Sequence, residues 1–302
     1  MNGQVRGSLV LLLTAAVWGS SFVAQRAGME YVGPFTFNGL RCFLGVAVLL
    51  PVLAVLRAAR VRRGEPPSDK RALWKGGAAC GAVLFCASSL QQLGIVTTGA
   101  GKAGFLTALY ILLVPVFGLF WGKRVRAVLW LCVGLGVAGL YLLCATDGWG
   151  SIGRGDWLLM GCAACYAVHI LIVDRYAPRT NNVALSAVQF LFCGLFSLPV
   201  LFALEEPAWA SLWACRGPFL YSGVMACGVG YTLQIVGQRG TDPTVASLVM
   251  CFEAVFAVLF GWLVLGETAS ARELAGCGVL FSATVLATAA AAGGGKKETA
   301  GA

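Results

Sequence analysis

The sequence predicts an all-α polytopic membrane protein, with ten transmembrane helices arranged as two inverted five-helix repeats. Three observations carry that prediction. The 302-residue chain is 59% hydrophobic and 12% charged, where a soluble domain carries roughly a quarter charged residues; its mean hydropathy is +0.82. Ten apolar stretches of near-spanning length recur along it. Its two halves also match one another in sequence. So few charges cannot cover a water-facing surface, which excludes soluble enzymes, nucleic-acid binders and secreted disulfide scaffolds.

An apolar helix of about 20 residues crosses a bilayer. Stretches of that kind run approximately over 8–27, 36–56, 74–96, 103–122, 128–145, 157–173, 183–203, 218–238, 244–264 and 274–292. The forty glycines are scattered among Leu, Val, Ala and Phe, as suits helices that pack closely in lipid. The start, MNGQVRGSLVLLLTAAVWGSSF, has the apolar core and small residues of a signal peptide. It takes part in the repeat described below, so a retained first helix is expected. Linkers are short except 57–73, RAARVRRGEPPSDKRAL, and 293–302 is expected to be a disordered cytoplasmic tail.

The formal charge of +9 is accounted for by topology. Ten crossings place sixteen Lys and Arg on the side of both termini, among them Arg57, Arg60, Arg62, Arg63, Lys70 and Arg71. Five lie on the other side (Arg26, Lys102, Arg154, Arg216 and Arg272), and Arg41 alone falls within a span. Positive charge stays inside, so both termini are expected in the cytoplasm of a bacterial cell, with the chain in the plasma (inner) membrane. The basic side has some affinity for anionic lipid and implies no nucleic-acid partner. The twelve cysteines lie almost entirely within apolar stretches, as small packing residues do. Cys162 and Cys165 have CxxC spacing without a second pair or a histidine, so no metal is expected. No phosphate loop appears, and no cofactor is expected.

Residues 6–26 lie on 154–174 at an offset of 148, with identities at Arg6/Arg154, Gly7/Gly155, Leu11/Leu159, Ala15/Ala163 and Ala16/Ala164. Trp18 then faces Tyr166, and Ser21 faces His169. The offset persists to LLPVL at 49–53 against SLPVL at 197–201, and after small length changes Gln92 is matched to Gln234. The halves are 1–145 and 146–292. Five helices per half is an odd number, so the second half enters the membrane from the opposite side. Secondary transporters recurrently use such pairs, with a central site where the halves meet.

WGSSF at 18–22, TTGAGKAGFLTALYILLVPVFG at 97–118 and EAVFAVLFGWLVLGE at 253–267 resemble the EamA-type branch of the drug/metabolite transporter superfamily. The resemblance covers essentially the whole chain. It implies a secondary active transporter, an exporter of amino acids or other small metabolites, working by alternating access at a mid-membrane cavity. No Ser-His-Asp order or paired carboxylates appear in the sequence, so no catalytic residues are expected, and the expected state is a monomer or homodimer. One departure is visible: Ala254 follows Glu253 where the family usually has Glu-Pro, whereas Pro115 is kept in the first repeat, so a kink at Glu253 is not assured. The competing class is an integral membrane enzyme acting on lipid-linked substrates. It would need catalytic acids or histidines at a membrane face, where this sequence is sparse.

Ionisable groups inside a span are costly unless paired or facing a cavity. Arg41, His169 and Glu253 are therefore the leading candidates. Arg41, three residues from Asn38 and on the same helix face, can meet a substrate carboxylate or pair structurally. His169, the only histidine, can exchange a proton or serve as a hydrogen-bonded packing residue. Glu253 matches the family's ninth-helix glutamate, and either holds a coupling proton or fixes two helices. Trp18, Ser21 and Gln25 share a face at i, i+3, i+7 spacing, as do Tyr231, Gln234 and Gln238. Gln91, Gln92, Tyr110, Tyr166 and Gln189 complete the candidate set; Ser186 and Gln189 match Asn38 and Arg41 across the repeat. Such groups either ligate a small zwitterion or join helices. Trp262 and Tyr141 read as belt or packing aromatics, and Glu267 as a cap or loop contact.

Overall fold

Lipid offers no hydrogen bonds, so a buried apolar segment must satisfy its backbone internally, as a helix does. The computed structural model describes residues 3–63, 69–98, 100–144, 152–265 and 270–298, and among them every regular element is helical. The first half contains α1 (Gly3–Gly28), α2 (Pro34–Arg62), α3 (Lys70–Ile95), α4 (Ala100–Ala108), α5 (Tyr110–Phe120) and α6 (Ala127–Cys144). The second contains α7 (Arg154–Tyr176), α8 (Asn182–Leu204), a short α9 (Trp209–Ala214), α10 (Arg216–Tyr221), α11 (Tyr231–Gln238), α12 (Pro243–Met250), α13 (Phe252–Leu265) and α14 (Ala271–Glu298). With α4–α5, α10–α11 and α12–α13 each forming one column, the described residues make ten columns, as the apolar stretches predict. Eight columns are long and apolar enough to cross a membrane, and Ala127–Leu143 is a shorter apolar helix. Large apolar side chains such as Val55, Phe120 and Phe202 are exposed around the outside, the pattern of a chain solvated by lipid.

The structure corrects the sequence reading in several places. α2 runs on through Arg57 and Arg60 to Arg62, so part of the expected linker is helix. α9 interrupts the linker between α8 and α10. α14 continues to Glu298, into the expected tail; 299–302, Glu267 and the side chain of Trp262 lie outside the described residues. Between α10 and α11 the chain forms a π-helix over Ser222–Gly230. Its sequence, SGVMACGVG, is short of bulk that would resist the wider turn. The ninth column breaks at Cys251 although Ala254 replaces the proline, and the fourth breaks at Leu109, six residues before Pro115. At both breaks the turn tightens to i→i−3 hydrogen bonds, Leu112 N to Leu109 O at 3.0 Å and Ala254 N to Cys251 O at 3.1 Å.

The two halves pack by the same rules. α3 packs on α7 as α11 packs on α1, while α2 with α8 and α6 with α14 are pairs that map onto themselves. The agreement reaches atomic detail. A methyl on Gly94 would lie 2.7 Å from Leu159 Cγ and 3.1 Å from the Gly155 carbonyl oxygen; on Gly237 it would lie 2.7 Å from Leu11 Cγ and 3.1 Å from that of Gly7. Gly94 therefore stands where Gly237 stands. That register pairs Gln234 with Gln91, and corrects the match to Gln92.

Hydrogen bonds join elements at both ends of the bundle. At the end that holds the α2 N-terminus, the Glu205 carboxylate accepts from Phe35 N at 2.9 Å, Thr36 N at 2.7 Å and the Thr36 hydroxyl at 2.6 Å. It thereby caps α2 from the end of α8. At the opposite end Lys123 Nζ donates to Asp174 Oδ2 at 2.5 Å.

Candidate functional site

A cavity of about 580 Å³, counting its open mouth, lies among α1, α2, α3, α5, α7, the π-helix, α11, α12 and α13. Nine sequence candidates line it. Trp18, Tyr110, Tyr166 and Tyr231 supply aromatic walls, Gln25, Gln91 and Gln234 supply amides, and Arg41 and Glu253 are the ionisable groups. Tyr231 packs on Trp18 with ring centroids 4.7 Å apart, and Tyr110 meets Tyr166 edge-on at 6.4 Å. Gly230 lets the π-helix approach this wall: a methyl there would lie 2.8 Å from Trp18 Nε1.

Arg41 is 6% exposed. Its Nη1 donates to Gln25 Oε1 at 2.7 Å, and its guanidinium lies 5.6 Å from the Phe37 ring centroid. Its Nε has no hydrogen-bond partner, and among the described residues no carboxylate lies within ion-pairing distance of it. A buried cation without a counter-ion is expensive in a low-dielectric site. Glu253 shares the cavity without pairing with Arg41, so both ionisable groups face the same space. Trp18 Nε1 and Tyr110 Oη are further donors without partners, and Gln234 Oε1 is an acceptor without one. Tyr166 donates to Gln91 Oε1 at 3.2 Å, which fixes that amide with its nitrogen free.

Five candidates do not line the cavity in this structure, each for a visible reason. The Ser21 hydroxyl donates to its own helix at Val17 O, 2.6 Å away. Asn38 turns to Ser88 at 3.0 Å. Gln92 Nε2 donates to Gln25 Oε1 at 3.5 Å, the oxygen that also accepts from Arg41. His169 and Gln189, both 0% exposed, bond to each other at 3.0 Å behind Tyr231. Conversely, Ile170, Ala226 and Met250 line the cavity without having been singled out in the sequence. Ile170 lies one turn beyond Tyr166 and Met250 three residues before Glu253, so face spacing alone could have found them. Ala226 carried no signal, because its position depends on the π-helix.

The family model described as EamA-like transporter family matches residues 5–145 and 153–289. An uncharacterized transporter of Archaeoglobus fulgidus is 26% identical over 94% of this chain and 86% of its own length. The uncharacterized transporter YwfM of Bacillus subtilis is 25% identical over 96% of both chains. The uncharacterized inner membrane transporter YedA of Escherichia coli is 25% identical over 90% of this chain and 87% of its own. A solved crystal structure matches with a TM-score of 0.76 over 94% of this chain and 96% of that one. At 20% identity, that likeness shows the fold alone.

Proposed function

Because the chain belongs to the EamA-like transporter family, we propose that this multi-pass membrane protein carries a small polar or amphipathic metabolite through the cavity by alternating access. Amino acids and similar zwitterions are the leading class, and export is the direction. The observation that carries this reading is the cavity itself, which is enclosed by both halves of the chain and in which a buried Arg41 and a Glu253 stand unpaired with each other. Arg41 offers a fixed positive charge to a substrate carboxylate. The aromatic walls accept an apolar body, and Gln91, Gln234 and Glu253 offer amides and an acid to the remaining polar groups. The halves 1–145 and 146–292 are the repeats whose exchange of conformation opens the site to either side. Where transport is coupled to protons, Glu253 is the carrier, since it meets the cavity whereas His169 is sealed in this structure. The basic residues orient both termini to the cytoplasm of the bacterial inner membrane. The family and the relatives are named for transport, which favours this reading over a lipid-processing enzyme.

Flux of an amino-acid and metabolite panel through purified protein in liposomes tests the proposal. Absence of gradient-dependent flux for every compound would sink it.

A further inference from the structure

His169 and Gln189 take no part in the cavity, yet nothing in their packing calls for polarity. They lie at 0% exposure and share one hydrogen bond of 3.0 Å. His169 Nδ1 and Gln189 Nε2 are then left without partners. Two orphaned buried polar atoms cost free energy, and each such group calls for an explanation.

The repeat supplies one. The offset that lays Arg6 on Arg154 and Leu11 on Leu159 also lays Arg41 on Gln189. Arg41 sits in α2, which starts at Pro34, and Gln189 in α8, which starts at Asn182. Each is about two turns into its helix, from opposite ends of the bundle, because the halves are inverted. Each also holds a side chain on the preceding column: Arg41 holds Gln25 at 2.7 Å and Gln189 holds His169. Arg41 and Gln189 are counterparts; their partners sit one turn apart, since the same offset lays Ser21 on His169 and Gln25 on Val173. The first pair lines the cavity and the second is closed off. The partition between them includes Tyr231, which lines the cavity and stands edge-on 6.1 Å from the His169 ring.

We propose that Gln189, the inverted-repeat counterpart of Arg41, forms with His169 a second polar binding station of the transport path, which opens toward the opposite end of the protein as the first closes. This rests on alternating access in the proposed function. The station would receive the polar head of the same small substrate through an imidazole and an amide, without fixed charge, so a carboxylate held by Arg41 would be held less strongly there. A site that binds on one side and releases on the other works by such a difference.

The single histidine makes the test direct. Diethyl pyrocarbonate acylates accessible imidazole, and peptide mass spectrometry reads its extent at His169 in the full-length protein. The closed station is expected to react slowly in wild type. Two variants weaken its closure by different routes. Gln238→Trp wedges the place where Gln238 Nε2 donates to Ile170 O at 3.5 Å, and Tyr231→Ala removes the partition. Reactivity should rise about tenfold or more in at least one, the change expected when a state populated at a few per cent becomes a major one. Cys80, also 0% exposed, reports general loosening and should stay inert to a thiol reagent. Three results overturn the proposal: His169 already reactive in wild type, His169 unreactive in both variants while lysines are acylated, or His169 and Cys80 rising together in both. Labelling needs no substrate, so failure of the second station and failure of transport itself are distinguishable.

Discussion

Substituting Gly276 with alanine tests the α6–α14 packing at one methyl group. A Cβ there would lie 2.7 Å from the Gly139 carbonyl oxygen, 2.7 Å from Leu143 N and 3.1 Å from Leu142 C. All three are backbone atoms, so the strain cannot be relieved by turning a side chain. Separating the helices by several tenths of an ångström forfeits a quarter or more of each dispersion contact along the seam, and overpacking of this kind costs about 1–3 kcal/mol. Gly278 lies two residues further along α14, where a methyl meets nothing within 4 Å; Gly278→Ala should stabilise by up to about 1 kcal/mol through helix propensity. The two variants should therefore differ by about 1–4 kcal/mol. Thermal unfolding of both in the same detergent, followed by tryptophan fluorescence, measures the difference. At about 2–4 °C per kcal/mol for a chain of a couple of hundred residues, Gly276→Ala should melt several degrees below Gly278→Ala. Equal melting temperatures would refute the claim that glycine is required at this seam, and the reciprocal pair, Gly139→Ala against Gly134→Ala, checks the partner helix.

Arg41→Ala and Glu253→Gln should each lower flux by about tenfold to a hundredfold, the worth of one charge-assisted hydrogen bond, while the protein still reaches the membrane; undiminished flux in both would remove these residues from the site. Glu205→Gln keeps the shape but weakens three hydrogen bonds at the α2 N-terminus, where negative charge is favoured. It should cost about 1–2 kcal/mol, read as a lowered melting temperature, and an unchanged midpoint would show the cap to be energetically idle. Lys123 and Asp174 are 37% and 20% exposed, so a double-mutant cycle of Lys123→Ala and Asp174→Asn should give a coupling of no more than about 1 kcal/mol. A coupling of several kcal/mol would mean that the pair is far better shielded than its exposure implies.

Much of the fold was legible because lipid leaves a chain few choices. Trp18, Gln25, Arg41 and Tyr166 were also legible as a site, since a polar or aromatic group inside a span has to be answered by a cavity or a partner. Which of these two answers applies was not legible. Gln91 and Gln92 are neighbours of the same type, and only the assembled structure shows that Gln91 lines the cavity while Gln92 turns to Gln25. Ser21 shares a helix face with Trp18 and Gln25, yet its hydroxyl is satisfied one turn back on its own helix, which any serine in a helix can do. The break at Cys251 comes without a proline, and the small residues of Ser222–Gly230 permit a π-helix without requiring one.

The sequence by itself determined the ten spans, the repeat, and the short list of polar groups that lipid cannot solvate. Those follow from composition and period, which act residue by residue. Only the tertiary structure decided which of those groups share a space. Arg41 opens onto the cavity while its repeat counterpart Gln189 is sealed with His169, because the packing of distant columns places Tyr231 between that pair and the cavity.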